Sequence, residues 1–300
     1  ALTPAAGRFS CLRAAPGGAG GLPSDHVTAC LEDHDGNLWI GTDGAGLVRR
    51  DRQTGAITTY RHNPSDLRSL SADRIRSLRE DGSRVLWVGT YGGGLSALDL
   101  AAKRFTHHRN HPSDPNSLSH NIVWSFCEDP DGALWIGTDS GGLNRLDRTT
   151  GRYRHHRHDP ADPSSISSDT VRVVAPGRGG ALWIGTGGAG LDRFDPATGR
   201  FTHHRHDPAD PDSLANDDLR AVYEDATGAV WVATYGGGLD RLDPATGRFA
   251  HHRNDPADPT SIASDLVRGI YEDSRGDLWI GTHGGGADRL DRPTGRCPPP

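Results

Sequence analysis

The sequence predicts an all-β fold, a six-bladed β-propeller, and three observations support that prediction. Six tryptophans recur every 48 residues without an insertion or deletion, and they are Trp39, Trp87, Trp135, Trp183, Trp231 and Trp279. Each interval holds four short apolar or alternating stretches separated by tight turns, and none has long helical periodicity. Four-stranded antiparallel units with a period of roughly 40 to 50 residues are typical of propeller blades.

The fifth unit shows the predicted order of elements. An innermost strand is expected at residues 219–223 ("LRAVY"), and a second strand at 230–234 ("VWVAT"). A glycine turn leads to a third strand at 238–243 ("GLDRLD"), and a further turn leads to the outermost strand at 248–253. Proline-rich connectors link successive units. Five of the six units have a glycine two positions after the Trp, such as Gly137, and this glycine is expected to leave room for the neighbouring blade.

The two ends of the chain predict how the ring closes. "GRF" at residues 7–9 has the same phase in the repeat as "GRC" at residues 295–297. The chain is therefore expected to begin with an outermost strand and to end just after a third strand. We predict that residues 7–13 supply the fourth strand of the blade at 266–291 and close a single domain of residues 1–300. The same spacing also fits six blades cut from a longer array.

The charge and composition of the chain argue against some classes of binding partner. The formal charge is −6 and the pI is about 6.2, which argues against a nucleic-acid partner or an anionic membrane surface, because both require a basic face. No apolar run of about 18 residues is present, so no membrane-spanning segment is expected. The chain has no Met, not even an initiator, and is therefore expected to be a processed or excised piece.

Residues 185–190 fit the dinucleotide-binding pattern G-x-G-x-x-G. That pattern holds a pyrophosphate only where a helix follows it, and here a short alternating stretch follows instead. The sister turns, such as "GTDGAG" at 41–46 and "GTYGGG" at 89–94, do not fit. The match therefore reflects variation within a turn, and no cofactor is predicted.

Two columns of the repeat predict a ligand site on one face. The column at the start of the innermost strand contains Thr28, Arg76, Trp124, Arg172, Arg220 and Arg268. The turn column on the same face contains Asp43, Tyr91, Asp139, Gly187, Tyr235 and His283. Innermost strands line the central channel of a propeller, so four guanidinium groups and an indole are expected there. Arginine binds carboxylate or sulfate and aromatic rings stack on sugars, so the combination favours an acidic oligosaccharide. The competing interpretation pairs each arginine with a neighbouring carboxylate at the rim.

Two histidine pairs are a weaker indication of a metal site. His156 with His158, and His204 with His206, would place two imidazoles on one face of a strand end, a spacing that can chelate zinc, copper or nickel. A solvated strand end is the competing interpretation, and no metal site is predicted.

The cysteines predict one disulfide. Cys30 and Cys127 fall on innermost strands of different blades and are expected to be buried free thiols. Cys11 and Cys297 lie two positions apart in phase, so they come close if residues 7–13 form the last blade's outer strand. A bond between them would fit an oxidising compartment.

The "LWIGT" of residues 134–138, followed by "GGL" at 141–143, recurs through the chain and resembles the two-component regulator propeller repeat. The resemblance covers about residues 7–296. It implies a periplasmic ligand-sensing domain of bacterial hybrid histidine kinases, which often respond to oligosaccharides and work as dimers. Family sensors usually have more blades in two rings, followed by an immunoglobulin-like domain, a membrane helix and a kinase, which this sequence does not show. The fourth unit also has Ala175-Pro-Gly177 where others have Glu-Asp. Streptogramin-lyase propellers are a weaker resemblance.

The expected function is therefore a non-enzymatic, ligand-binding sensor propeller located in the periplasm or outside the cell. Its expected partner is a small molecule or oligosaccharide, without nucleic acid or membrane contact, and the resemblance implies a dimeric histidine kinase as parent protein. The alternatives are a scaffold or lectin-like propeller without a signalling role and, third, a lyase-type enzyme.

Overall fold

The computed structural model of the protein describes residues 2–3, 8–9, 12–15 and 21–297. The chain divides into two compact units, residues 1–124 and residues 125–300. Within the described ranges the regular structure is β, apart from one 3-10 turn at Arg178–Gly180. No helix in this part of the chain is long and apolar enough to cross a membrane.

The first unit contains a short strand pair and two four-stranded antiparallel sheets. The pair consists of β1 (Leu2–Thr3) and β2 (Arg8–Phe9). Blade 1 consists of β3 (Val27–Glu32), β4 (Leu38–Thr42), β5 (Leu47–Arg50) and β6 (Ile57–Tyr60). Blade 2 consists of β7 (Ile75–Glu80), β8 (Val85–Thr90), β9 (Leu95–Asp99) and β10 (Arg104–His108).

The second unit contains the other four sheets, and the division falls within the first strand of blade 3. Blade 3 consists of β11 (Val123–Glu128), β12 (Leu134–Thr138), β13 (Leu143–Asp147) and β14 (Arg152–His156). Blade 4 consists of β15 (Val171–Pro176), β16 (Leu182–Thr186), β17 (Leu191–Asp195) and β18 (Arg200–His204). Blade 5 consists of β19 (Leu219–Glu224), β20 (Val230–Thr234), β21 (Gly238–Asp243) and β22 (Arg248–His252). Blade 6 consists of β23 (Val267–Glu272), β24 (Leu278–Thr282) and β25 (Gly286–Leu290). The prediction of six antiparallel propeller blades is confirmed.

Glycines in the second strands allow successive blades within a unit to pack closely. A Cβ on Gly137 would lie 2.6 Å from Val171 Cγ1 of the next blade, which is closer than real Cβ atoms approach. Gly41 lies against Ile75, and Gly185 against Leu219, in the same way. The predicted role of these glycines is therefore confirmed, and the apolar second strands are buried because sheets cover them.

The recurring Trp is anchored by a carboxylate of its own blade's first hairpin. In blade 5, Asp225 accepts hydrogen bonds from Trp231 Nε1 at 2.9 Å and from two backbone amides of the turn. Blade 4 has Gly177 at that position. Its Trp183 Nε1 instead donates to Glu224 Oε2 of blade 5, at 2.7 Å. Glu224 of the neighbouring blade thus replaces the aspartate that blade 4 lacks at Gly177.

Closure of the last blade by residues 7–13 is not confirmed. Arg8–Phe9 pairs with Leu2–Thr3, and residues 7, 10 and 11 lie outside the described residues. At the edge of β25, Asp291 and Arg296 form an isolated antiparallel bridge, and Cys297 N donates to Thr260 O at 2.6 Å. Phe249 of blade 5 makes the equivalent bond to Asp212 O. The chain's own residues 296–297 therefore begin the fourth-strand path of blade 6.

The cysteine predictions have mixed outcomes. Cys127 is buried as predicted, whereas Cys30 is exposed, so its expected burial was wrong. Cys297 is a buried free thiol at the position that holds Phe in blades 2, 4 and 5. Its predicted disulfide partner, Cys11, lies outside the described residues.

Candidate functional site

A β-bulge positions the arginine column in blades 2, 4, 5 and 6. The register of the innermost strand shifts between Ile75 and Ser77 in blade 2, and it shifts at the equivalent place in blades 1, 4, 5 and 6. The residue left out of each ladder is a member of the predicted column, namely Thr28, Arg76, Arg172, Arg220 or Arg268. Bulges re-aim side chains and are common beside binding sites. The repeat therefore presents one arginine per bulge in these four blades.

The first unit holds a cluster of two arginines and two aromatic rings around one carboxylate, which we call the first arginine cluster. Arg74 and Arg76 lie over the Tyr91 ring, with their guanidinium carbons 4.4 and 5.1 Å from its centroid. Arg76 is also 5.3 Å from the Trp124 ring, which meets Tyr91 edge-on. Arg74 Nε donates to Asp43 Oδ1 at 2.8 Å, and this bond is the main reason that the pKa of Asp43 is lowered.

The second unit holds a matching group, the second arginine cluster. Arg220 and Arg268 lie over Tyr235, with guanidinium carbons 4.6 and 4.8 Å from the ring centroid. Asp218 pairs with Arg220 Nη2 at 2.7 Å and with Arg172 Nη1 at 3.4 Å. Two cations therefore lie over one tyrosine ring in each cluster. Both come from blade 2 in the first cluster, whereas Arg220 of blade 5 and Arg268 of blade 6 supply them in the second.

The competing interpretation, in which each arginine pairs with a carboxylate, holds for only part of the column. Arg76 pairs with Asp43 at 3.7 Å, and Arg172 and Arg220 share Asp218. Arg268 is exposed and has no ion-pair partner in the described chain. The second cluster thus has three guanidinium groups and one carboxylate. In addition, Arg220 Nε is buried without a hydrogen-bond acceptor among the described residues.

The other predicted site residues have varied positions. Trp124 is half-buried within the first cluster, while His283 is exposed and its backbone amide bonds to Leu266 O. Asp139 is half-buried at the corresponding turn of blade 3. Gly187 leaves space for an arginine, since a Cβ there would lie 2.7 Å from Arg172 Nε. The dinucleotide-like pattern is therefore explained by packing.

Sequence reasoning missed Arg74 and Asp218. Both lie two positions before a column arginine, where each forms an isolated backbone bridge to the preceding blade's turn, Asp43 or Gly187. Charged residues stand at this repeat position only in blade 2 and blade 5, apart from the histidine of blade 1. A charged residue at a repeat position that is apolar or neutral in the other blades could therefore have indicated Arg74 and Asp218.

The histidine pairs do not form chelating faces, so that interpretation was wrong. His156 packs inward on Trp135, with ring centroids 5.5 Å apart, while His158 Nδ1 bonds to Ile166 O of the connector. His204 and His206 repeat this division. Throughout the described ranges no group of three His, Cys, Asp or Glu side chains could hold a metal ion.

Comparisons with known proteins agree with this architecture. The sequence matches the family described as "Two component regulator propeller" over residues 21–44, 69–92, 117–140 and 261–284. Each matched segment begins at the connector and ends just after the turn column. No curated protein matches the chain by sequence.

Solved structures show the same fold. The extracellular domain of a hybrid two component system of B. thetaiotaomicron matches 91% of this chain with a TM-score of 0.76 and 24% identity. That of a one component system of the same organism matches 90% with a TM-score of 0.70 and 22% identity. The chain spans 34% and 35% of those two proteins. Virginiamycin B lyase from Staphylococcus aureus matches 89% of the chain, and 82% of the lyase is covered, with a TM-score of 0.63 and 17% identity.

Proposed function

Because the chain carries repeats of the two component regulator propeller family, we propose that it is a non-enzymatic sensor propeller that binds an acidic oligosaccharide through its arginine clusters. The family match and the likeness to extracellular domains of a hybrid two component system and of a one component system support the sensor role. The arginine clusters support the proposal that the ligand is negatively charged.

One observation carries this proposal: the guanidinium groups of Arg220 and Arg268 both lie over the Tyr235 ring, and only Arg220 has a carboxylate partner. Arg220 is anchored by Asp218, which fixes the stack, while Arg268 keeps its hydrogen-bond donors for an incoming group. A guanidinium group binds a carboxylate or sulfate through two parallel hydrogen bonds. Arg268 is therefore the residue that we expect to contact the ligand's charged group.

The aromatic rings suit the sugar part of such a ligand. Tyr91 is 36% exposed, so part of its ring is open to solvent beside two cations. Aromatic side chains present a large apolar face together with a polar edge, which fits a sugar ring that carries hydroxyl groups. Each cluster thus combines a cation for an acidic substituent with a ring for stacking.

The wider setting follows from the family. We propose a periplasmic or extracellular location, a single propeller domain over residues 1–300, and a dimeric histidine kinase as the parent protein. On this proposal the chain itself contacts neither nucleic acid nor membrane. A scaffold or lectin-like propeller without a signalling role is the alternative. The likeness to virginiamycin B lyase makes a lyase-type enzyme the third candidate.

A binding screen tests the proposal. The chain is applied to an array of sulfated, uronic-acid and neutral oligosaccharides, and bound sugars are then analysed by mass spectrometry for cleavage. We expect binding to acidic members only, without turnover, and weaker binding in about 0.5 M salt because exposed charge pairs are screened. Turnover would favour the lyase. Binding to neutral sugars alone would contradict the proposal.

Two variants locate the site. Arg268→Ala should weaken binding by about tenfold, since hydrogen bonds to charged groups contribute roughly 1.5–3 kcal/mol. Arg200→Ala removes the same charge from an exposed outer strand of the same unit and should leave affinity unchanged. Equal affinity in both variants would place the ligand elsewhere.

A further inference from the structure

A separate cleft of about 530 Å³ lies between blades 3 and 4, within the second unit. Its walls include Trp135, Arg145, Arg154, His156 and Phe194. A volume of this size is in the range of small-molecule pockets, roughly 300–1,000 Å³. None of these residues belongs to the arginine clusters, so the cleft needs an explanation of its own.

Two arginines face each other directly in this cleft. Arg145 of β13 and Arg154 of β14 are register partners on adjacent antiparallel strands. Like charges directly opposite each other destabilise a sheet. The equivalent pairs of the other blades contain at most one charge, and they are Arg49–Thr58, Ala97–Thr106, Arg193–Thr202 and Arg241–Ala250. Among the described strand pairs, two arginines therefore face each other at this position only in the cleft between blades 3 and 4.

Asp129 pairs with only one of these two arginines. It lies 3.7 Å from Arg145, and its oxygens also accept the Trp135 indole N–H and two backbone amides. Asp131 is an exposed turn residue on the rim. Arg154 is exposed and has no ion-pair partner among the described residues. One guanidinium group thus remains available for an anion.

An imidazole ring also lies in the wall of the cleft. The His156 ring is fixed between Trp135 and Phe194, with centroids 5.5 and 5.0 Å away, and its Nε2 is buried without a hydrogen-bond partner in the described chain. Burial, followed by the nearby Arg154 and Arg145, lowers the pKa of His156 to about 4. The ring is therefore neutral at pH 7, and a bound anion would stabilise its protonated form.

The opposite wall is unusually open. Gly179 stands where the other blades have Asp35, Ser83, Asp131, Thr227 and Arg275. No atom lies within 4 Å of the place that a Cβ on Gly179 would occupy. Blade 4 therefore contributes neither a side chain that fills the cleft nor a carboxylate that would repel an anion from this position.

We propose that this cleft binds a small organic anion, a phosphate, sulfate or carboxylate group carried on a ring. The anionic group lies between Arg145 and Arg154, where it removes their mutual repulsion. The ring of the ligand packs on Pro196, which is exposed and lines the same cleft. This inference is independent of the proposed function, because it uses a different face and different arginines.

NMR titration of the His156 ring tests the proposal with phenyl phosphate as the probe and inorganic phosphate as its ring-free counterpart. We expect a saturable shift of the His156 resonances and a rise of about one unit in the pKa of His156 when phenyl phosphate is bound, because an opposite charge nearby favours the protonated ring. Inorganic phosphate should bind at least about tenfold more weakly. Equal affinity for both probes would overturn the ring-binding part of the proposal.

Arg154→Thr is the matched variant, since it recreates the pair that blades 1 and 4 already contain. It should fold and should weaken phenyl phosphate binding by at least about tenfold. Arg152→Thr removes the same charge from the same strand at a residue that does not line the cleft, and it should bind as the native chain does. No His156 shift in the native chain, or an equal shift in the Arg154 variant, would overturn the proposal.

Discussion

Removal of the Glu224 carboxylate should destabilise the second unit more than removal of its repeat equivalent, Glu128. Glu224 Oε2 accepts the indole N–H of Trp183 at 2.7 Å and the backbone N–H of Arg178 at 3.2 Å. Trp183 is only 2% exposed, so in Glu224→Ala its N–H would lose its acceptor inside the protein. A buried unsatisfied donor costs roughly 1–3 kcal/mol. The Arg178 pair adds little, because that arginine is 58% exposed. We expect a total loss of about 3 kcal/mol.

Glu128→Ala provides the control for this prediction. Glu128 accepts a hydrogen bond from Arg148 at 2.7 Å, while the tryptophan of its blade, Trp135, is held by Asp129. This variant should therefore lose only about 1 kcal/mol, the value of a partly exposed ion pair. Urea denaturation followed by tryptophan fluorescence measures both variants against the native chain. Equal losses in the two variants would refute the idea that blade 5 supplies the missing carboxylate of blade 4.

Three further predictions concern packing and pH. Gly137→Ala should cost roughly 1–3 kcal/mol in thermal denaturation, because its Cβ would overlap Val171. Burial lowers the pKa of His156 to about 4, so the stability contributed by its neutral form is complete above about pH 6.5. About 3 kcal/mol of stability is lost as the pH falls towards 4, and His156→Tyr should remove this loss when unfolding is measured against pH. The hydrogen bond to Asp192 raises the pKa of His203, so the stability contributed by protonated His203 is complete below about pH 6.5 and is lost as the pH rises through the raised pKa. Asp192→Asn should abolish this loss of stability at higher pH in the same assay.

The repeat predicted the blades well because strand order and spacing depend on patterns within a single unit. The 48-residue period placed every second strand around its Trp, and the glycine two residues later predicted close blade packing, as Gly137 shows. The turn and strand columns also brought Tyr235 together with Arg220 and Arg268. These positions follow from register alone, which the repeat determines.

Features that depend on differences between repeats were harder to predict. "GRF" at 7–9 and "GRC" at 295–297 have the same phase, so spacing could not decide which segment lies at the edge of blade 6. Glu224 is followed by an aspartate just as Glu128 is, and only the loss of Asp at Gly177 redirects Trp183 towards Glu224. The bulge at each column residue has no sequence signature of its own, because Thr28 occupies it in blade 1 and arginines occupy it in blades 2, 4, 5 and 6.

Binding of an acidic oligosaccharide by the second arginine cluster can be observed directly on the arginine side chains. Nε–H resonances of arginine are recorded by ¹H–¹⁵N NMR while an acidic oligosaccharide is titrated into the native chain, and the Arg220, Arg268 and Arg200 signals are assigned through their alanine variants. If the second arginine cluster binds the ligand, Arg220 and Arg268 should shift with one common dissociation constant while Arg200 stays unchanged. Shifts of equal size at all three arginines, or none at Arg268, would contradict binding at this cluster.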